Sequence, residues 1–197
     1  MRHPEGLKRA GRALATAALL FFLAPAGAQQ PRAAQPEVCM ACHGPQGNSQ
    51  IPATPSLAGQ PKVFLENQLV LIREGMRDIP QMKGLLDGLK DPDLVALATY
   101  FSAQTPVRPA GPVNAATYQR GQATAGRMLC ASCHLPDYAG RSQIPRLAGQ
   151  QEAFLVDSMK QFRDHPGPGR DTIMAASLHG LKDGDLTDLA HFLANFK

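Results

Sequence analysis

Every cysteine in this chain of 197 residues lies in one of two Cys-x-x-Cys-His pentapeptides, Cys39-Met40-Ala41-Cys42-His43 and Cys130-Ala131-Ser132-Cys133-His134. Two thiols three positions apart share one helical turn. Each can form a thioether to a haem vinyl group, and the imidazole of the next residue can then reach the iron. Zinc, a redox dithiol and disulfides are the competing readings. Zinc would want its Cys pairs closer along the chain, and a redox Cys-x-x-Cys would want a βαβ context that this sequence lacks. Two matches with no cysteine left over favour two covalently attached haems c.

The N-terminus reads as an export signal over residues 1–28. Arg2, Lys8, Arg9 and Arg12 form a basic stretch, the apolar run Ala13 to Ala24 follows, and Ala26-Gly27-Ala28 fits a small-x-small cleavage site. The run is too short to span a bilayer. The expected mature chain starts near Gln29, and a retained N-terminal anchor is the alternative. Export also suits the cysteines, because covalent haem attachment takes place outside the cytoplasm. The expected location is the periplasm.

The pI of about 9.0 belongs to the precursor. Residues 1–28 take four of the 20 basic and one of the 16 acidic groups, leaving 16 and 15 in the mature chain. This near balance gives no support to a nucleic-acid partner.

The second half restates the first at an offset of 90 to 92 residues. Cys39 to His43 returns as Cys130 to His134, and Leu57-Ala58-Gly59-Gln60 as Leu147-Ala148-Gly149-Gln150. Leu89-Lys90-Asp91 returns as Leu181-Lys182-Asp183. So small a drift means duplicated lobes with minor loop changes. The expected division is a first lobe at 29–105, a Pro/Gly-rich linker at 106–112 and a second lobe at 113–197. Each lobe is marginal for an independent apolar core, and a buried haem would supply much of it.

The expected fold class is all-α, with short helices separated by long irregular loops. Helices are expected over Gln60 to about Glu74 and over Gln150 to Arg163. Ala115 to Ala131 should form one helix with the second haem motif at its end. Asp91-Pro92 and Asp183-Gly184 should cap final helices that run to Phe101 and to the C-terminus.

His43 and His134 are the first axial ligands, which leaves a sixth position on each iron. A Met there makes a carrier, and an exchangeable site suggests catalysis. The repeat separates the candidates. Met82 stands seven residues before Leu89, and Met174 seven before Leu181. Met76 falls opposite Pro168 and Met40 opposite Ala131, while neither Met128 nor Met159 has a Met counterpart. Met82 and Met174 also fall in segments expected to be irregular, just before the last helix. His165, His179 and His191 compete, but they have no histidine counterparts and are expected to face solvent or helix ends.

With these marks the chain resembles the tandem dihaem cytochromes c of the cytochrome c4 family, over essentially all of residues 37–197. The marks are the Cys-x-x-Cys-His start of each lobe, the Pro-x-Leu-Ala-Gly-Gln signatures Pro55 to Gln60 and Pro145 to Gln150, and the Met-x₆-Leu-x-Asp-x-Asp-Leu run. The resemblance implies two class I cytochrome c lobes packed together, each with His/Met ligation. It also implies that the carbonyls of Pro55 and Pro145 accept the Nδ1 protons of His43 and His134. Gly121 would pack closely against the terminal helix of the second lobe. In the first lobe the N-terminal helix should be short and its contact with the Tyr100 helix is in question. Leu135-Pro136 replaces Gly44-Pro45 after the second motif, so that turn is expected to differ.

The function that follows is a non-enzymatic electron carrier. Its expected donors are a quinol-oxidising complex or a dehydrogenase, and its acceptors a terminal oxidase or a reductase. Peripheral membrane association would come through such partners. The alternatives are a cytochrome subunit of a larger complex, or a dihaem enzyme such as a peroxidase or a thiosulfate dehydrogenase. Two symmetrically placed Met ligands argue against the enzyme.

Overall fold

The computed structural model describes residues 35–197, so the expected export signal and cleavage site lie outside the described residues. The fold is all-α, in two lobes. The first carries α1 (Pro36–His43), α2 (Lys62–Arg73) and α3 (Asp91–Ser102), with short 3₁₀ turns at Pro45–Gly47 and Pro80–Met82. The second carries α4 (Ala115–Arg127), α5 (Cys130–His134), α6 (Glu152–Asp164), α7 (Thr172–Ser177) and α8 (Asp183–Ala194). Among the described residues the sole β pairing is an isolated bridge between Arg141 and Ile144.

Each lobe buries its final helix. In α3, Leu94, Leu97, Ala98 and Phe101 repeat at helical spacing and are buried, and Leu65 of α2 packs against the last three. In α8 the matching Leu186, Leu189, Ala190 and Leu193 are joined by buried Phe192. The second core is larger because aromatic residues fill it. Tyr118, Tyr138 and Phe196 each meet Phe192 edge to face, at centroid separations of 5.0, 5.5 and 5.5 Å. Such pairs add about 0.5–1.5 kcal/mol each beyond the area they bury.

The sequence expectations need four corrections here. The helix expected over Ala115 to Ala131 breaks. Met128 closes α4 by donating its N–H to Thr124, and Leu129 takes a left-handed conformation (φ 54°, ψ 34°) before α5 begins at Cys130. That residue, at a cost of roughly 1–2 kcal/mol for a side chain other than glycine, redirects the chain so that the haem motif leaves the α4 axis.

The final helices are capped one residue earlier than expected. Lys90 and Lys182 occupy the N-cap positions, and their backbone N–H groups donate to the Asp93 and Asp185 carboxylates at 2.8 and 2.9 Å. Third-position carboxylates do this work and also face the positive helix end.

The turn after the second haem motif keeps the shape of the first. Leu135 has φ 71° and ψ 159°, close to the 77° and 171° of Gly44. Tyr138, at the register of Gly47, likewise accepts a positive φ of 52°. Its ring fills space between Phe192 and Phe196, which offsets the backbone strain. Finally, α1 does touch the Tyr100 helix, through the Tyr100 hydroxyl at 3.8 Å from Met40 Sδ.

The junction between lobes has no helix, as its composition suggests, but it is tied down. The Asn48 amide donates to the Thr105 carbonyl at 3.1 Å and accepts the Val107 N–H at 2.7 Å. Arg108 reaches the Asn195 carbonyl at 3.3 Å. The Asn114 N–H donates to His191 Nε2 at 3.0 Å.

Candidate haem sites

Both Cys-x-x-Cys-His motifs are helical. Cys39 and Cys42 lie on α1, Cys130 and Cys133 on α5, and each helix ends on its histidine. Cys39 and Cys130 are half-buried and Cys42 and Cys133 are exposed, and no two of the four are joined in a disulfide. Burial pushes the Cys39 and Cys130 thiols up from their ordinary pKa.

The two histidines are buried and similarly placed. His43 Nδ1 lies 2.8 Å from the Pro55 carbonyl oxygen, and His134 Nδ1 lies 2.9 Å from that of Pro145. A carbonyl can only accept, so Nδ1 carries the proton and Nε2 keeps its lone pair. Burial lowers the pKa of both rings, with the proline hydrogen bonds as smaller opposing effects. Each motif thus presents two thiols on one helical turn and a neutral imidazole with one nitrogen ready to coordinate. That donor set fits a covalently attached haem. Among the described residues no cluster of three or more His, Cys, Asp or Glu side chains is arranged to hold a metal ion.

Met82 and Met174 are half-buried at matched positions ahead of the final helices, but their settings differ. Met82 ends the 3₁₀ turn Pro80–Met82. Met174 lies on the short helix α7, where an irregular segment was expected, because Asp171 caps that helix by accepting the Met174 N–H at 2.8 Å. Met174 also packs against the second core. The other methionines are engaged differently. Met40 Sδ accepts the Gln46 N–H at 3.1 Å. Met159 is buried in the second core, and Met76 is 46% exposed.

Of the competing histidines, His165 and His179 are exposed as expected. His191 is not. It is buried, with Nδ1 2.9 Å from the Glu152 carboxylate and Nε2 accepting the Asn114 N–H. It ties α8, α6 and the start of α4 together, and both of its ring nitrogens are committed.

Two further features escaped the sequence reading. Arg77 lies on the loop after α2 and Arg170 on the loop after α6, one residue out of the repeat register, and each turns back to a glutamine of the preceding helix. Arg77 donates to the Gln68 side chain, Arg170 to that of Gln161 at 3.2 Å, and neither meets a carboxylate among the described residues. Burial lowers the Arg77 pKa, and the nearby Arg170 charge lowers it further. The two loops meet closely. A Cβ added at Gly169 would lie 2.4 Å from the Met76 carbonyl oxygen.

The second feature joins the lobes. Ser56 and Arg146, which follow the two acceptor prolines, are each gripped by a glutamine of the opposite lobe. Gln150 bonds both backbone groups of Ser56, and Gln60 both of Arg146. No periodicity or local motif marks partners 86 and 94 residues apart.

The family model for cytochrome c matches residues 118–197. Cytochrome c4 of Azotobacter vinelandii is 33% identical over 186 residues, covering 85% of this chain and 87% of its own. A "thiosulfate dehydrogenase electron acceptor" of Thiomonas intermedia (strain K12) is 34% identical, covering 92% and 81%. The crystal structure of reduced recombinant cytochrome c4 from Pseudomonas stutzeri matches with a TM-score of 0.75 at 32% identity, covering 81% of this chain and 94% of that one. With two buried His-ended thiol motifs in duplicated helical lobes, this chain belongs to the cytochrome c4 family of dihaem electron-transfer cytochromes, which are not enzymes.

Proposed function

We propose that this cytochrome carries single electrons through two irons that are both closed to exogenous ligands. Cys39 and Cys42 would anchor one haem and Cys130 and Cys133 the other. His43 and Met82 would ligate the first iron, His134 and Met174 the second. Histidine ligation is supported by the pair of matched Nδ1-to-proline-carbonyl bonds, which leave both imidazoles neutral and aimed, and closure by the half-buried Met82 and Met174 at one register of the repeat. Haem iron, when bound, supplies the Fe(III)/Fe(II) couple.

The chain's own residues do the rest. The proline carbonyls fix the ring orientation of each histidine and strengthen it as a donor. The methionine thioethers would hold one coordination in both oxidation states, so little need rearrange when an electron arrives. The packed helices keep water from the irons and favour the less charged, reduced state. Arg77 and Arg170, which have no carboxylate partners among the described residues, are the cations suited to the acidic edges of the haems.

We place the carrier in the periplasm, exported by residues 1–28, with lobes at 29–105 and 113–197 joined by 106–112. Its donor would be a quinol-oxidising complex or a dehydrogenase, and its acceptor a terminal oxidase or a reductase. The relative from Thiomonas, by its name an electron acceptor for thiosulfate dehydrogenase, favours a dehydrogenase donor.

Adding carbon monoxide to the reduced holoprotein tests the central point. Two low-spin haems whose spectra do not change are expected, and rapid binding at either iron would rule out a closed carrier. Mixing the oxidised protein with thiosulfate dehydrogenase and thiosulfate, or with a quinol-oxidising complex and quinol, identifies the donor. Cell fractionation with N-terminal sequencing should find the mature protein in the periplasm, starting at Gln29.

A further inference from the structure

The contact between the lobes is reciprocal, and it falls next to the axial histidines. Gln150 Oε1 accepts the Ser56 N–H at 2.7 Å, and Gln150 Nε2 donates to the Ser56 carbonyl at 2.9 Å. Gln60 Oε1 accepts the Arg146 N–H at 3.0 Å, and Gln60 Nε2 donates to the Arg146 carbonyl at 3.0 Å. Both glutamines are buried, at 5% exposure for Gln60 and 4% for Gln150. Gln150 Oε1 accepts a second bond, from the Gln151 N–H at 2.9 Å. The space left at this contact is about 10 Å³, no more than one water needs.

The position of the gripped residues gives the contact its meaning. Ser56 shares a peptide bond with Pro55, whose carbonyl accepts from His43, and Arg146 shares one with Pro145, whose carbonyl accepts from His134. The N–H that Gln150 holds and the carbonyl that His43 holds belong to the same peptide unit. A peptide unit is planar and rigid, so fixing its N–H end fixes the direction of its carbonyl. A plain docking contact would need only apolar surface. Two bidentate amides, each on the peptide that orients a histidine, make a more specific arrangement.

We propose that Gln60 and Gln150 are cross-lobe positioning residues: Gln150, in the second lobe, aims His43 at the first haem, and Gln60, in the first lobe, aims His134 at the second. The proposal rests on His43 and His134 being iron ligands. Each iron then owes the donor strength of its imidazole partly to the other lobe. Separation of the lobes would disturb both redox centres at once.

The test measures each haem separately in the full-length holoprotein, by paramagnetic proton NMR with a spectroelectrochemical titration. In the wild type the ring protons of His43 and His134 should carry the large displacement of axial ligands. Its absence would overturn the ligand assignment before any variant is made. Gln150→Leu removes both bonds to Ser56, so the Pro55 carbonyl loosens and His43 becomes a weaker donor to Fe(III). The potential of the first haem should rise and its ring-proton shifts move, while the second haem stays in place. Gln60→Leu should give the mirror result. Should either leucine variant fail to fold, Gln150→Glu and Gln60→Glu keep the length and the acceptor but lose the donor, and should shift the same haem by less. A shift at the haem of the glutamine's own lobe, an equal shift at both haems, or no shift in the folded variants would each overturn the proposal.

Discussion

Gly121 of α4 lies so close to Asp188 of α8 that an added Cβ would sit 2.0 Å from the Asp188 carbonyl oxygen and 2.7 Å from the Phe192 Cβ. The two helices therefore cross with their backbones almost touching, and α8 cannot retreat because its other side is buried in the core.

Gly121→Ala should therefore destabilise the protein. A methyl group gained in an exposed helix normally helps by about 1 kcal/mol, but here it meets backbone. Overpacking of this kind costs about 1–3 kcal/mol, and the melting midpoint should fall accordingly. Gly126→Ala is the control, since nothing lies within 4 Å of its added Cβ. Thermal denaturation of the two variants should move in opposite directions, and equal midpoints would show that the helices can part at little cost.

Met82→Ala and Met174→Ala should each open one of the two irons. The reduced variants should bind carbon monoxide at about half of their haem, and the opened haem should have a lower potential because the thioether favours Fe(II). Met76→Ala should bind none, as its side chain is 46% exposed on a loop and Met76 is out of register with the second lobe. Equal carbon monoxide binding by the Met76 and Met82 variants would remove Met82 as the ligand.

Much of this molecule can be read in its sequence, because the informative residues are either adjacent or repeated. The haem motifs are contiguous, and each final helix announces itself through apolar spacing. What could not be read depends on distant partners. The break at Leu129 has no Gly or Pro to mark it, since α4 gives way to α5 through an ordinary leucine in a left-handed conformation. The caps slipped by one residue because Asp91 and Asp93 both suit a helix start, and only the chain's geometry makes Asp93 the acceptor. His191 looked like a solvent-facing residue because its partners Glu152 and Asn114 lie 39 and 77 residues away.

His191→Ala should be a stability variant with no haem phenotype. It removes a buried ring and the two hydrogen bonds that ring makes to Asn114 and Glu152, worth about 0.5–1.5 kcal/mol each, and it frees the Glu152 carboxylate. Urea denaturation should show the loss, while the optical spectrum of both oxidation states stays unchanged. A high-spin fraction in the variant would bring His191 back as an iron ligand.

Acid sensitivity should follow the carboxylates around α8. The Asp188 carboxyl is held below its ordinary pKa by Arg120, that of Asp164 by Arg163, and that of Asp183 by Lys160 and then Arg163. In each case the folded protein holds its proton less tightly than the unfolded chain does. The stabilisation is therefore complete above the ordinary carboxylate value of 3.8 and is lost as pH falls through the lower folded values. Melting midpoints should hold from about pH 7 to pH 5 and then drop below about pH 4. Arg163→Ala should flatten that drop, since it removes a partner of both Asp164 and Asp183. Because the Asp164 and Asp183 carboxylates are exposed, high salt should shrink the difference between variant and wild type. An acid limb equally steep in the variant at low salt would mean that these ion pairs contribute nothing to the pH dependence.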